Sequence, residues 1–352
     1  MKRFIRDFMI YHLYINYGYY MEYNYIFICS GVHHLDMDSY YAICARDLEK
    51  CSNVHLVYDV CDWLPKPIRF LYELHNSSHI NRKVKLPFKD VWIPYYFKNP
   101  FKDKKPLCIV FQNWALPTKA FEYIDKHNPD VKKVKIHRDL LKYVKNINQY
   151  DGFFDFSMTI DNQEAEKYGY VWFHEYESKL DDLKITKNYP ECDVYFAGLV
   201  KDRLPKLMTI YKKLTAAGLK VNYYLLGVPK EKQEPLEGVT YGRRYLSYRE
   251  MLERTVNSRC VLDVNQDGAK GFTSRFLEAV MYNKPLIADN SIIKSSKFYN
   301  PEYIQVYDDW NDLDPEFVKK DESRVDYHYI DDFSPIRLIE QIDAELVKRY
   351  GK

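Results

Sequence analysis

The feature that most constrains the fold is a repeated alternation of short apolar segments with helical segments. In the first half the expected strands are 25–30, 54–59, 107–112 and 153–160, and the expected helices are 37–50, 118–126 and 139–146. In the second half the expected strands are 193–197, 220–226, 260–264 and 285–288, and the expected helices are 202–217, 247–257, 272–282 and 334–349. Apolar strands that alternate with helices predict parallel, doubly wound sheets.

A polar stretch that ends in proline, from about 175 to 190, separates the two runs and is expected to be a linker. A chain of 352 residues suits two α/β domains of about 150 residues each. We therefore expect an extension at 1–22, a first Rossmann-like domain at 23–180 and a second at 190–333. The helix in 334–352 is expected to pack back on the first domain. The fold class is α/β, with two Rossmann-like domains that face a cleft.

Residues 1–20 carry basic and aromatic side chains but lack a long apolar core and a cleavage site with small residues. One interpretation is an interfacial amphipathic segment that touches a membrane. The other is an upstream start codon, with Met21 as the true first residue. The sequence favours the second interpretation, because the first strand follows Met21 closely.

Composition narrows the class of function. The formal net charge is +2 and the basic residues are dispersed, so nucleic acid is not expected as a partner. Seven cysteines form an odd set without paired metal-ligand spacing, which favours a reducing cytoplasm over a disulfide scaffold. The 34 tyrosines suit carbohydrate or nucleotide contact. Codon bias of an AT-rich genome explains the same abundance.

The segment 260–290 holds the most informative chemistry, because a strand leads through a loop with Gly268 and Gly271 into a helix. Glycines before a helix let its backbone N–H groups approach an anion, and the helix N-terminus carries partial positive charge. Thr273 adds a hydroxyl group and Arg275 adds a fork of donors for phosphate oxygens. Glu278, one turn later, can accept hydrogen bonds from a ribose. The alternative is a plain turn followed by a surface Arg275–Glu278 pair.

Three stretches resemble GT-B glycosyltransferases, and most of all the bacterial capsule and lipopolysaccharide biosynthesis enzymes of that superfamily. They read QDGAKGFTSRFLEAVMYNKPLIADN, DVYFAGLVKDRLPKLMTIYKKL and DFSMTIDNQEAEKYGY. The resemblance covers roughly 151–309 and is only architectural before that. It implies a GT-B fold, a nucleotide-sugar substrate held by the second domain, and no metal or other cofactor. Many retaining members carry two glutamates separated by seven residues, and here Lys270 stands at the first position. The stereochemistry of transfer therefore stays open.

The residues expected to bind the donor come from the resemblance and from their places at strand ends. They are Gly198, Lys201, Arg203, Gly227, Tyr245, Gln266, Gly268, Gly271, Phe272, Thr273, Arg275 and Glu278. Lys201 or Arg203 is expected to neutralise the leaving diphosphate. The loops that contain Gly227 and Tyr245 are expected near the nucleotide base.

The turn after the first strand is the candidate source of catalytic groups, with His33, His34 and Asp36. A histidine can take a proton from an acceptor hydroxyl near neutral pH, and a carboxylate can orient it or act itself. The alternative is that Asp36 caps the following helix and the histidines are surface residues. No metal site is expected, because adjacent histidines point in different directions and no third ligand is evident.

Together these features predict a cytoplasmic glycosyltransferase that uses a UDP-sugar and a glycan or lipid-linked acceptor in cell-surface polysaccharide biosynthesis. Peripheral contact with the inner membrane face is part of this expectation. Two alternatives remain open. One is nucleotide-sugar epimerisation on the same fold, and the other is a non-catalytic nucleotide- or sugar-binding partner.

Overall fold

The computed structural model describes residues 21–29, 36–59, 61, 63–112, 116–141, 151–266 and 271–351. These residues form two six-stranded sheets, one in each half of the chain, and every strand pairing in both is parallel. The predicted α/β class with two Rossmann-like domains is confirmed.

The first sheet contains six strands. They are β1 (Asn24–Ile28), β2 (Val54–Val57), β3 (Leu107–Gln112), β4 (Lys132–His137), β5 (Phe156–Thr159) and β6 (Val171–Trp172). Their order across the sheet is β2-β1-β3-β4-β5-β6, so the direction of winding reverses between β1 and β3. Ligands of open parallel sheets bind outside the carboxyl ends of the strands at such a reversal. The predicted catalytic turn follows β1.

The second sheet also contains six strands. They are β7 (Cys192–Leu199), β8 (Val221–Leu226), β9 (Val239–Gly242), β10 (Ser258–Asp263), β11 (Leu286–Ala288) and β12 (Ile304–Val306). Their order is β12-β11-β10-β7-β8-β9, which is the order of dinucleotide-binding sheets. The reversal lies between β7 and β10, and the carboxyl ends of these two strands precede the predicted donor loops.

Helices cover both sheets. The described α-helices are α1 (Tyr40–Cys44), α2 (Lys66–Asn76), α3 (Ser78–Lys83), α4 (Thr118–His127), α5 (Asn162–Tyr168), α6 (Leu204–Ala216), α7 (Tyr248–Asn257), α8 (Ser274–Met281) and α9 (Pro335–Tyr350). The longer 3-10 segments are Arg46–Lys50, Lys89–Tyr95 and Ser291–Ser295. No helix within the described ranges is long and apolar enough to cross a membrane.

The last helix, α9, packs on the first sheet although it follows the second. Leu338, Ile339, Ile342 and Leu346 are buried in the same core as Val110 and Ile136 of β3 and β4. Asp343 ties the helix to the start of the domain. It accepts hydrogen bonds from the backbone N–H of Tyr23 at 3.1 Å and from the Tyr25 hydroxyl at 2.7 Å. The helix therefore closes the chain onto its first domain.

The carboxyl ends of the two sheets face each other. The backbone N–H of Tyr248, at the start of α7, donates to the carbonyl of Asp38 at 2.8 Å. The Asp38 carboxylate also pairs with Arg249 at 3.0 Å. Gly271 of the second domain lies against the carbonyl oxygen of Ile160, which directly follows β5, since a Cβ built on Gly271 would be 3.5 Å from it. The loops that carry the candidate site therefore meet across a domain interface.

Several elements differ from the sequence prediction. Strands β4, β6, β9 and β12 were not anticipated. β4 reads KKVKIH, and its lysines disguised a buried strand in which Lys133 pairs with Asp125 while Val134 and Ile136 fill the core. The expected helix at 37–50 is split into α1 and a 3-10 helix. Most of the expected helix at 139–146 lies outside the described residues.

Side-chain capping explains where two site helices begin. Ser247 accepts a hydrogen bond from the backbone N–H of Glu250 at 3.2 Å, as its sequence predicts. Asp161 accepts from the backbone N–H groups of Gln163 and Glu164 at 2.9 Å. The Glu164 carboxylate does not return to the N-cap, because it accepts from the backbone N–H of Leu141 at 2.9 Å.

Candidate functional site

Two loops meet at the carboxyl ends of β7 and β10. The loop after β7 carries Lys201 and Arg203, and the loop after β10 carries Gln266. The Lys201 ammonium donates a hydrogen bond to the Gln266 side-chain oxygen at 2.8 Å, which joins the loops. Gly268 of the predicted glycine loop lies outside the described residues. Residues expected separately to contact a donor are therefore brought together at the reversal of the second sheet.

Arg203 holds these two loops together through hydrogen bonds to backbone carbonyl groups. Its guanidinium donates to the carbonyl of Val264 at 3.0 Å and also to the carbonyl of Leu199. The central carbon of the guanidinium lies 5.3 Å from the centroid of the Phe196 ring. Burial lowers the pKa of Arg203, and nearby carboxylates such as Asp263 oppose that effect. Of the two cations expected to neutralise a diphosphate, Lys201 is the exposed one.

Thr273 forms the N-cap of α8. Its hydroxyl oxygen accepts from the backbone N–H of Phe276 at 3.2 Å, and its proton is donated to the Asp263 carboxylate at 2.6 Å. The remaining backbone N–H groups of the first turn of α8 carry the partial positive charge of a helix N-terminus. The sequence pattern therefore delivers the helix start that an anion site requires.

Arg275 and Glu278 form a buried pair on α8. One guanidinium nitrogen of Arg275 donates to Glu278, and the other donates to the carbonyl of Ala197 in β7 at 3.1 Å. Burial lowers the pKa of Arg275, but the adjacent Glu278 carboxylate and the nearby Tyr195 and Tyr248 together raise it more, so the net shift is upward. Arg275 retains a small exposed surface, whereas Glu278 has none. The predicted pair exists, but it is not a surface pair.

Glu278 is fully engaged by protein groups. Its carboxylate accepts from the Tyr248 hydroxyl at 2.9 Å and from the Thr255 hydroxyl at 3.2 Å, in addition to Arg275. This arrangement corrects the expected role of Glu278. The side chain has no exposed surface for a ribose to contact, and its carboxylate orients Arg275 instead.

Tyr248 links Glu278 to a second buried carboxyl group, that of Glu177. A phenol has one proton, and here it stands between two carboxyl groups. Burial raises the pKa of Glu177 well above its ordinary value, and the nearby Glu278 charge raises it further, while the hydrogen bond with Tyr248 and the charges of Arg138 and Arg275 oppose this effect. We infer that Glu177 is held as the neutral acid. It then donates to the Tyr248 oxygen, and Tyr248 donates to Glu278.

Asp263 is the acidic group nearest the start of α8. Burial raises its pKa to about 6. The hydrogen bond from Thr273 lowers the pKa and offsets only part of this effect, and the neighbouring Asp289 charge raises the pKa further. Asp289 itself accepts from the backbone N–H of Asn265 at 2.6 Å and pairs with Lys206 at 3.2 Å. The site therefore contains a carboxyl group that changes charge close to neutral pH.

The other predicted donor residues occupy the rim of this region. Gly227 has a φ of +77°, which favours glycine, and a Cβ there would lie 2.8 Å from a methyl group of Leu199, so that side chain would have to shift. A Cβ on Gly198 would make only ordinary contacts, but its φ of +159° is one that other residues rarely adopt. Tyr245 is largely exposed. Phe272 stacks on His174 of the first domain with ring centroids 5.8 Å apart.

The predicted catalytic groups are only partly within the described residues. His33 and His34 lie outside them. Asp36 is exposed, and its carboxylate accepts from the backbone N–H of Asp38 at 3.0 Å. The expected capping alternative is wrong in detail, because Ser39 is the N-cap of α1. His174, which the sequence did not single out, is an exposed imidazole between Trp172 and Phe272.

Four residues of the site escaped the sequence argument: Glu177, Tyr248, Asp263 and His174. Asp263 had a usable signal, because an acidic residue at the end of a buried strand stands at a sheet's ligand edge. Tyr248 stood inside a recognised helix start without a chemical role. Glu177 lies in a polar linker, where nothing in the local pattern announces burial. Among the described residues, no group of three or more His, Cys, Asp or Glu is placed to hold a metal ion.

Comparisons with known proteins give only distant likenesses. No family model and no curated protein matches this chain. TarM aligns with 67% of this chain and 54% of its own, at 12% identity and a TM-score of 0.43. The pneumococcal O-GlcNAc transferase GtfA in complex with UDP and GlcNAc aligns with 69% of this chain and 56% of its own, at 10% identity and a TM-score of 0.36. SnogD, a glycosyltransferase from Streptomyces nogalater, aligns with 91% of this chain and 99% of its own, at 8% identity and a TM-score of 0.34. The chain thus spans little more than half the length of TarM and GtfA.

Proposed function

We propose that this protein transfers a glycosyl group from a nucleoside-diphosphate sugar to an acceptor hydroxyl. The observation that carries the proposal is the buried Arg275 beside the capped N-terminus of α8, at the reversal of a parallel sheet with dinucleotide-binding order. A fixed guanidinium and a helix N-terminus together suit a diphosphate. The resemblance of the same segment to GT-B donor sites supports this reading.

The proposed chemistry is heterolysis of the bond between the sugar and the diphosphate. Negative charge builds on the leaving diphosphate, and Arg275, Lys201 and the N-terminus of α8 would stabilise it. Arg275 is already oriented by Glu278 and the Ala197 carbonyl, so little reorganisation would be needed as the charge develops. The loops with Gly227 and Tyr245 are proposed to flank the nucleotide base.

The acceptor would be bound on the first domain. A group from the turn of His33, His34 and Asp36 is proposed to take the proton of its hydroxyl, and His174 is a further candidate because it faces the donor loop through Phe272. We further propose UDP as the nucleotide and a glycan or lipid-linked glycan as the acceptor, in cell-surface polysaccharide biosynthesis.

A turnover assay tests this function against its alternatives. The protein is incubated with single UDP-, GDP-, CDP- or ADP-sugars, with and without a bacterial lipid-linked glycan extract, and released nucleoside diphosphate is measured. Transfer predicts acceptor-dependent release. A changed sugar on an intact nucleotide without acceptor indicates epimerisation and overturns transfer. Binding of a nucleotide sugar with no release under any condition indicates a non-catalytic binding protein.

The raised pKa of Asp263 predicts that donor binding weakens as pH rises. Below a pH of about 6 the carboxyl group is neutral, and above it the group adds a negative charge beside the proposed diphosphate. We expect the affinity for a UDP-sugar, whose diphosphate diester does not titrate in this range, to fall roughly threefold to tenfold between pH 5 and 7.5. Calorimetric titration of wild type and Asp263→Asn across this range checks it.

The Asp263→Asn variant should bind with nearly constant affinity, since the amide can still accept from Thr273 but does not ionise. Asp193→Asn is the matched control, because Asp193 is a carboxylate at the amino end of β7, paired with Arg259 and remote from the site. A wild-type profile without pH dependence, or an unchanged profile in Asp263→Asn, contradicts the assignment of Asp263 to the edge of the donor site.

A further inference from the structure

The chain between β2 and β3 forms an insertion, residues 66–105, that exposes an unusual number of apolar side chains. They are Ile68, Phe70, Leu71, Leu74, Val84, Phe88, Val91 and Tyr95. Phe88 is 80% exposed and Phe70 is 62% exposed. Soluble surfaces rarely collect large apolar residues in this way without a partner. The insertion therefore presents a surface that its own domain does not cover.

Helix α2 organises this surface. Phe70, Leu71 and Leu74 follow one another at helical spacing and share the outer face, whereas Tyr72 points inward and is fully buried. The inner side is fixed by Trp92, whose indole N–H donates to a ring nitrogen of His75 at 2.9 Å. The helix is thus anchored by one side and displays its apolar stripe on the other.

The 3-10 segment Lys89–Tyr95 extends the same surface. The other ring nitrogen of His75 is 2.7 Å from the carbonyl oxygen of Pro87, so the chain next to Phe88 lies at the carboxyl end of α2. Phe88 has a left-handed backbone, with φ of 61°, and directs a large ring outward from this corner. A left-handed backbone is rare for phenylalanine, and a mostly exposed ring does little for the core of the domain, so this ring is a candidate for contact with a partner.

The charge of the insertion identifies its partner. Residues 66–105 contain ten Lys and Arg and three Asp and Glu, a formal net charge of +7, whereas the whole chain has only +2. Seven basic residues of this segment are exposed: Lys66, Arg82, Lys83, Lys85, Lys98, Lys102 and Lys104. Exposed apolar side chains that alternate with cations along one segment suit an anionic lipid surface, into which the apolar groups insert while the cations meet the headgroups.

We propose that the insertion is a membrane-docking surface that binds anionic phospholipid bilayers through Phe70, Leu71 and Phe88 and the surrounding lysines. This inference does not depend on the catalytic proposal, because it rests on a different part of the first domain. It would place the protein at the membrane peripherally.

Vesicle co-sedimentation of the full chain tests the proposal. We expect binding to vesicles of phosphatidylcholine mixed with phosphatidylglycerol, and little binding to phosphatidylcholine alone. Phe70→Ser/Leu71→Ser should weaken binding by about tenfold or more, because it removes two inserting side chains. Lys83→Gln/Lys85→Gln should weaken it by roughly tenfold and flatten its dependence on salt. Ile330→Ser is the matched control, because Ile330 is 77% exposed but outside the insertion.

Each outcome decides the proposal. All three variants change exposed side chains, so their thermal unfolding should match that of wild type and loss of binding would not reflect misfolding. The proposal is overturned if wild type does not sediment with the anionic vesicles, or if neither pair of substitutions weakens binding more than Ile330→Ser does. It is also overturned if light scattering without vesicles detects a dimer that Phe70→Ser/Leu71→Ser disperses, since a second copy would then cover the surface.

Discussion

The double variant Arg275→Met/Glu278→Gln should fold normally and lose glycosyl transfer by a factor on the order of 10² to 10³, the usual effect of removing one fixed electrostatic group from a leaving-group site. Neutral residues replace both members of the buried pair, so no uncompensated charge is left behind. Initial rates of nucleoside-diphosphate release, together with thermal unfolding, measure both parts of the expectation.

The single variant Arg275→Ala is a poorer test than the double variant. Glu278 is completely buried, and without Arg275 its charge would lose its ionic partner, which typically costs about 3–5 kcal/mol. Arg337→Met/Glu340→Gln is the matched control, because it removes an arginine–glutamate pair with the same three-residue spacing on α9, with N–O 3.1 Å. If Arg275→Met/Glu278→Gln transfers the sugar as fast as the control does, the assignment of Arg275 to the donor site is wrong.

The variant Glu177→Gln should be more stable than wild type at neutral pH. The unfolded chain releases the Glu177 proton near the ordinary pKa of 4.5, whereas burial makes the folded protein retain it. The contribution of this group to stability is therefore fully present below pH 4.5 and falls as pH rises toward the folded pKa, by about 1.4 kcal/mol per pH unit. Glutamine has no proton to retain, so its advantage should vanish near pH 4 and grow above it.

Denaturant unfolding of both proteins from pH 4 to pH 8 measures this difference. Tyr248→Phe removes the hydroxyl between the two carboxyl groups and should cost about 1–3 kcal/mol and weaken donor binding, because Glu278 then holds Arg275 less firmly. Tyr189→Phe is its control, since Tyr189 donates to the buried Glu253 at 2.8 Å without reaching Arg275. A Glu177→Gln variant that is less stable than wild type at every pH would mean that Glu177 is ionised.

The elements that carry the sheets were visible in the sequence wherever apolar strands alternate cleanly with helices. β3 and β8 are nearly as expected, and α8 begins two residues later than predicted. β4 was hidden because its lysines are buried by pairing and by aromatic contact, which no local pattern reports. Register between strands is a long-range property, so β6, β9 and β12, each of two to four residues, could not be recognised from their own letters.

In the candidate site, too, residues with a local signature could be predicted from the sequence, and contacts between distant segments could not. Thr273 and Arg275 could be selected because a cap and a cation at a helix start have a local signature. The depth of Glu278 could not, since it depends on Tyr248 and Thr255, which come from the preceding helix. Glu177 reaches the same cluster from the linker. Contacts between segments turned an expected ribose ligand into a group that positions an arginine.

A thermal-shift panel with UDP, GDP, CDP and ADP, run on wild type and on Arg275→Met/Glu278→Gln, tests the central claim most directly. At a concentration about a hundredfold above the dissociation constant, a bound nucleotide adds about 2.7 kcal/mol, which should raise the melting temperature of a chain of this length by roughly 4 °C. The account predicts that UDP gives the largest rise in wild type and that the double variant gives almost none. Absence of a shift with every nucleotide, or equal shifts in both proteins, would contradict a diphosphate site at Arg275.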